Sequence, residues 1–168
     1  MVDVRLERTP MRQEMQEMQA VPRPIENQPG LVEVDTTWGT IQPIEVTEGV
    51  RTIGEVELIE HLEKGLPVAD SRDGDSYNRA SIPGAINLPF AEAVARRDEL
   101  DRQHPTVFFC NGPQCGQSPR AIRALIEAGH PAETIWYYRG GLHDWITLGL
   151  PVVSAPTAPN KAAVDLRP

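Results

Sequence analysis

Cysteine is scarce in this 168-residue sequence: there are two, Cys110 and Cys115. Two thiols are too few for a disulfide framework or a four-thiolate zinc site, so each is either a small buried side chain or a chemically used group. Long apolar runs are also missing. Stretches such as 106–109 and 121–126 fall far short of the roughly 20 residues that cross a bilayer, and no membrane span is expected. The opening residues include Asp3, Arg5, Glu7 and Arg8, which interrupt the apolar stretch that a secretory signal needs, so the expected compartment is the cytoplasm. No basic cluster exceeds Arg96-Arg97, whereas duplex binding needs a concentrated cationic stripe to release counterions; nucleic acid is not an expected partner. Neither G-x-x-x-x-G-K-[ST] nor G-x-G-x-x-G occurs, which leaves nucleotide cofactors without support. His61, His104 and His130 lack ligand-like spacing and read as surface or helix-end residues, so neither a metal site nor any other cofactor is expected. His143, just after a glycine pair, is the histidine placed to border a site.

What is present is a globular balance, with 40% hydrophobic and 24% charged residues, enough for one ordinary domain with tails. The net charge of −8 is uneven: residues 1–49 hold 9 acids against 4 arginines, and 50–168 hold 15 acids against 12 bases. Of 16 prolines, five lie by residue 43 and four from 151 onward. The expected division is an N-terminal extension over 1–43, a domain over 44–153 and a Pro-rich tail over 154–168. In the extension, Thr9 can cap a helix with Pro10 at its first position and Met11, Met15 and Met18 on one face. That helix either frays or lies on its own domain, or it presents a methionine-rich surface to a protein partner. Residues 19–30 read as linker, and 31–34 and 40–46 alternate as strands do.

From 44 to 153, β-prone runs at 44–46, 67–70, 85–88, 106–109 and 134–138 alternate with helical patterns at 56–62, 90–97, 119–128 and 142–148. Gly65 closes the first helix and Gly129 the third. The predicted fold class is α/β, a parallel sheet of about five strands with helices on both faces. Ligands bind such sheets beyond the carboxyl ends of the strands. At one such end the strand 106–109 runs into Cys110, Asn111, Gly112, Pro113, Gln114, Cys115, Gly116 and Gln117, and Ser118-Pro119 opens a helix whose buried stripe is Ile122, Leu125 and Ile126. A Gly-rich loop at a helix N-terminus can turn its N–H groups inward as an anion cradle, and a thiol there ionises more readily than a free one. Cys110 is the candidate nucleophile.

Four segments occur in order: Asp70-Ser71-Arg72; Ser81-Ile82-Pro83-Gly84-Ala85-Ile86-Asn87-Leu88-Pro89; the Cys110 loop; and Arg139-Gly140-Gly141 followed by Trp145 and Gly149-Leu150-Pro151-Val152. Together they resemble the rhodanese family of sulfurtransferases over roughly residues 44–153. The resemblance implies a single-domain rhodanese-like fold and an enzyme that carries sulfane sulfur as a persulfide on catalytic Cys110. The sulfur would pass from thiosulfate or a persulfide donor to a thiol or cyanide acceptor, with Asn111, Gly112, Gln114, Cys115, Gly116, Gln117, Ser118 and Arg139 around it. Asp70 and Arg72 resemble the family's framework pair, tying a strand end to the following helix, and Trp136, Tyr137, Tyr138 and Trp145 read as core and rim packing.

Two departures from the family pattern stand out. Asn111 takes the second loop position, where the family often has Arg, and no Arg lies between Cys110 and Ser118; the loop also looks about two residues longer, and Pro113 removes one N–H. Thiosulfate is therefore expected to be a poorer donor than a persulfide, unless Arg139 stands at the mouth rather than on the surface. The second departure is Cys115, which either packs against the loop wall or faces Cys110 and resolves an oxidised sulfur into a disulfide. Two other readings stand beside sulfur transfer: a phosphatase- or arsenate-reductase-like thiol enzyme with an enlarged loop, and a non-catalytic partner-binding module.

Overall fold

The computed structural model describes residues 41–154 together with Arg23, Pro24, Glu26, Asn27, Val32 and Glu33. The methionine helix expected over 9–21 and the tail beyond 154 lie outside the described residues. Two short strands, β1 (Arg23–Pro24) and β2 (Val32–Glu33), pair antiparallel, so the stretch expected to be linker contains a strand and the run at 31–34 supplies its partner. The main body follows as β3 (Arg51–Ile53), α1 (Glu55–Glu63), β4 (Val68–Asp70), α2 (Gly74–Arg79), β5 (Ile86–Asn87), β6 (Thr106–Phe109), α3 (Gln117–Glu127), β7 (Ile135–Tyr138) and α4 (Gly141–Thr147). Among the described residues no helix is long and apolar enough to cross a membrane.

The five strands of the main sheet run parallel in the order β3-β7-β6-β4-β5. Every residue of central β6 is buried, which explains its unbroken Thr-Val-Phe-Phe run: a parallel strand covered on both faces has no solvent side to alternate with. On one face α3 lays Ala121, Ile122 and Leu125 against Phe108, Ile135 and Tyr137, with Val46, Val50, Ala93 and Leu100 filling in. On the other, Leu58 and Leu62 of α1 and Leu142 and Trp145 of α4 pack on Val68, Val107, Phe109 and Tyr138. Each large apolar side chain so buried contributes about 1.5–3 kcal/mol relative to exposure. Helices cover both faces, as expected.

Helix ends follow local chemistry. After α1, α3 and α4 the chain turns through Gly65, Gly129 and Gly149 at positive φ. The paired reverse bonds Leu66 N–H to His61 O, His130 N–H to Leu125 O and Leu150 N–H to Trp145 O are those of Schellman caps, which need a residue without a Cβ penalty. Helix α2 was not foreseen; it has six residues and no apolar stripe, but Asp73 caps it by accepting from Ser76 N–H at 2.8 Å.

Four expectations are corrected. Residues 41–46 form no strand: Pro43 has no N–H to give a ladder, and the segment runs as a strap whose Gln42 N–H donates to Pro113 O at 2.7 Å. The edge strand is β3 instead. Residues 90–97 form turns rather than a helix, passing into a 3-10 turn at Arg97–Glu99, because both ends are tied to the sheet edge, Phe90 N–H to Ser71 O and the Arg96 guanidinium to Asn87 O. His61 and His130 stand at helix ends, as one of the two expected placements had it, but are buried there rather than on the surface. His61 Nε2 meets Pro67 O at 3.0 Å beside the Trp136 ring, and His130 Nε2 meets Thr134 Oγ1 at 3.1 Å. The fourth concerns Ser118 and belongs to the site.

Candidate active site

Strand β6 delivers Cys110 to the carboxyl edge of the sheet, flanked by the ends of β4 and β7. The first turn of α4 grips this point: Leu142 N–H donates to Cys110 O at 2.9 Å and His143 N–H to Asn111 O at 2.8 Å. So close an approach demands glycine. Gly141 stands at φ +60°, and a Cβ there would lie 2.5 Å from Cys110 O and 2.6 Å from Gly112 N; one on Gly112 would meet His143 Cβ at 3.0 Å. His143 thus borders the loop through its stem, while its Nδ1 meets Asp144 Oδ1 at 3.0 Å.

The loop folds back on itself through a turn in which Cys115 N–H donates to Gly112 O at 2.9 Å. This brings the two cysteines together, with Cys110 Sγ 3.4 Å from Cys115 O. Both thiols are buried, Cys110 being 2% exposed. Burial pushes the Cys110 thiol up, but hydrogen bonds from the Cys115 side chain and from the Ser118 hydroxyl and N–H outweigh it and bring it down to about 7. The cost is borne by Cys115, which burial and then its bond to the Cys110 sulfur and that sulfur's charge push well up, with the Gln117 and Asn111 N–H groups opposing. The Cys115 thiol also reaches Gln117 Oε1 at 3.4 Å.

Ser118 was expected to cap α3. The helix starts two residues earlier, with Gly116 at the cap and Gln117 first, and the Ser118 hydroxyl donates instead to Ser71 Oγ at 3.1 Å and helps to lower the Cys110 thiol. Ser71 holds its own place by donating N–H to Phe109 O.

Charge reaches the loop from below. Asp70 and Arg72 form a wholly buried pair, and Arg72 Nη2 also donates to Ala80 O beyond α2 at 2.5 Å, as a framework pair should. Arg72 Nη1 further reaches Asn111 Oδ1 at 3.4 Å, so the loop's second residue is held by a guanidinium from beneath. At the rim, Arg139 is half-buried and spends its Nε–H on Gln42 O at 2.9 Å, while exposed Arg120 lies over the Phe90 ring. Gln114 and Gly116 are half-buried loop positions; a Cβ on Gly116 would be 3.6 Å from Gln42 Nε2 and 3.9 Å from Arg120 Nε.

Sequence reasoning missed Ser71, the reach of Arg72 to Asn111, the Gln42 strap and Tyr137. The Tyr137 hydroxyl is buried without a hydrogen-bond partner; burial, then the charges of Cys110 and Cys115, push it up. Only Ser71 and Arg72 carried a local signal, as neighbours of Asp70 at a strand end. Among the described residues no group of three or more His, Cys, Asp or Glu side chains is gathered to hold a metal ion.

Comparison with known proteins agrees with this geometry. A family model described as a Rhodanese-like domain matches residues 55–148. The HTH-type transcriptional regulator Rv0324 of Mycobacterium tuberculosis is 35% identical over 101 residues, 60% of this chain but 43% of that protein. Thiosulfate sulfurtransferase GlpE of Coxiella burnetii is 27% identical over 96 residues, 56% of this chain and 86% of that one. Among solved structures, thiosulfate sulfurtransferase from Pseudomonas aeruginosa superposes with a TM-score of 0.56 at 27% identity, covering 68% of this chain and 22% of its own. The chain thus spans under half of the regulator and about a fifth of the Pseudomonas enzyme.

Proposed function

The chain belongs to the rhodanese-like domain family, and from that premise we propose that it is a sulfurtransferase with Cys110 as sulfur carrier. The observation that carries this reading is the placement of Cys110, a thiol delivered by β6 to the carboxyl edge of the sheet in the loop that leads into α3, where the Cys115 side chain and the hydroxyl and N–H of Ser118 bring it down to about 7 despite burial. A group so stabilised as a thiolate is both a ready nucleophile and a good leaving group, and sulfur transfer uses each property once.

In the first half-reaction the Cys110 thiolate attacks the outer sulfur of the donor. The donor S–S bond breaks, and its electron pair departs with sulfite from thiosulfate or with a thiolate from a persulfide. In the second, an acceptor thiolate or cyanide attacks the outer sulfur of the Cys110 persulfide, and the Cys110 thiolate leaves into the hydrogen bonds of Ser118. Residues 111–117 contain no arginine, Arg72 is buried against Asp70, and the Arg139 Nε–H is committed to Gln42 O. A sulfonate-bearing dianion finds little countercharge in the loop, which favours a persulfide donor over thiosulfate. The same scarcity counts against the phosphatase and arsenate-reductase readings, since those dianions want a bidentate guanidinium.

A second reading, a rhodanese-like module serving regulation, draws support from the 35% identity to a protein named a transcriptional regulator. The lowered thiol favours the enzyme. The test is intact mass after incubation with thiosulfate or a persulfide, made on Cys115→Ala so that Cys110 is the one thiol present: that protein should gain one sulfur, about 32 Da, and Cys110→Ser none. Equal gain by the two would overturn the assignment, and no gain with either donor would leave the regulatory reading.

A further inference from the structure

We propose that Cys115 is a second reacting residue of this loop, one that attacks the Cys110 persulfide to form a Cys110–Cys115 disulfide and release hydrogen sulfide. Resting on the reading of Cys110 as sulfur carrier, the proposal adds a persulfide-reducing activity whose co-reactant is a dithiol. The argument is one of placement. The turn closed by Cys115 N–H and Gly112 O folds the loop back toward the end of β6, and Cys110 Sγ donates to Cys115 O at 3.4 Å. An external acceptor must reach a sulfur that is 2% exposed, whereas Cys115 is already beside it and is 1% exposed itself. A held nucleophile replaces a bimolecular encounter by an intramolecular one, which favours it strongly.

The step balances without an outside oxidant. The Cys115 sulfur attacks the inner sulfur of the persulfide; the Sγ115–Sγ110 bond forms and the bond from Cys110 Sγ to the outer sulfur breaks. The electron pair leaves with the outer sulfur, which also receives the Cys115 proton and departs as hydrosulfide. The two cysteines lose two electrons and the sulfane sulfur gains two. The proton is available for this, because in the resting loop burial keeps it on Cys115. A dithiol then reduces the disulfide by exchange and restores both thiols.

The experiment uses the full chain, reduced and freed of reductant, given one equivalent of glutathione persulfide without air at about pH 8, where Cys110 is ionised and Cys115 keeps its proton. Released sulfide is trapped, and intact mass is read without reductant. The wild type should release close to one equivalent of sulfide, end about 2 Da lighter than its reduced form with Cys110 and Cys115 crosslinked, and regain its mass with dithiothreitol. Cys115→Ser and Cys115→Ala should each keep the added sulfur and release no sulfide above the Cys110→Ser blank. If all three proteins with Cys110 hold the sulfur equally and no crosslink forms, the proposal is wrong and the carrier reading stands. If none takes up sulfur, the carrier reading has failed and this inference falls with it.

Discussion

Asp70 holds the guanidinium of Arg72 along two bonds, Nε to Oδ1 at 2.9 Å and Nη2 to Oδ2 at 2.6 Å, with both side chains fully buried. Ser81 Oγ and the Arg72 N–H complete the carboxylate's shell. A pair so enclosed tolerates loss of neither partner, because the survivor becomes an unpaired buried charge. Arg72→Met or Asp70→Asn should lower unfolding stability by about 3–5 kcal/mol, and the double variant should recover part of that loss. Denaturant unfolding checks this; single-variant losses below about 1 kcal/mol would show that the pair is not buried as described.

The Cys110 thiol should titrate near 7. Its alkylation rate is expected to be flat above that pH and to fall about tenfold per unit below it, since the thiolate is the reacting form. Ser118→Ala removes one of the bonds that lower the thiol, and the midpoint should move upward. Rate against pH, followed by mass spectrometry, decides; a wild-type midpoint at an ordinary thiol value would contradict the cradle.

Gly141→Ala tests the grip of α4 on the loop. The added Cβ meets backbone atoms of Cys110, Asn111 and Gly112 at 2.5–2.8 Å and demands a positive φ from an L side chain. Strain alone should cost about 1–3 kcal/mol, and sulfur loading should fall as the loop is displaced. Thermal unfolding and loading mass are the readouts; a variant matching wild type in both would show that the loop yields freely.

Acid should weaken the fold through its buried histidines. Burial chiefly lowers His61, with Lys64 adding and the Pro67 bond opposing; burial and then Arg102 lower His130, against Glu133. Both folded values lie below the unfolded value of 6.5, so between the two the unfolded chain binds more protons. Their contribution is complete above pH 6.5 and is lost as pH falls through the folded values, at up to about 1.4 kcal/mol per unit for each histidine. His61→Gln, which keeps a donor for Pro67 O, should flatten that slope relative to wild type; unchanged slopes would clear His61.

The sequence alone determined the elements whose signals are local. The β6 strand, the loop beginning at Cys110 and the α3 stripe of Ile122 and Leu125 were legible because an all-buried strand reads as one apolar run and Gly129 marks the end of α3. Ordered motifs spread from Asp70 to Val152 supplied the fold and the candidate carrier cysteine. Helix α2 escaped because its six mostly polar residues have no periodic face, and the 41–46 strap escaped because what holds it, Pro113 and Arg139, lies about 70 and 97 residues away. Only the tertiary structure decided that the Ser118 hydroxyl meets Ser71 instead of capping a helix, that Arg72 reaches Asn111, and that Cys110 Sγ lies 3.4 Å from Cys115 O. The contacts of Ser71 and Arg72 join segments brought together by the parallel pairing of β4 and β6, and the distance across the loop is set by the turn that Cys115 N–H and Gly112 O close rather than by spacing along the chain.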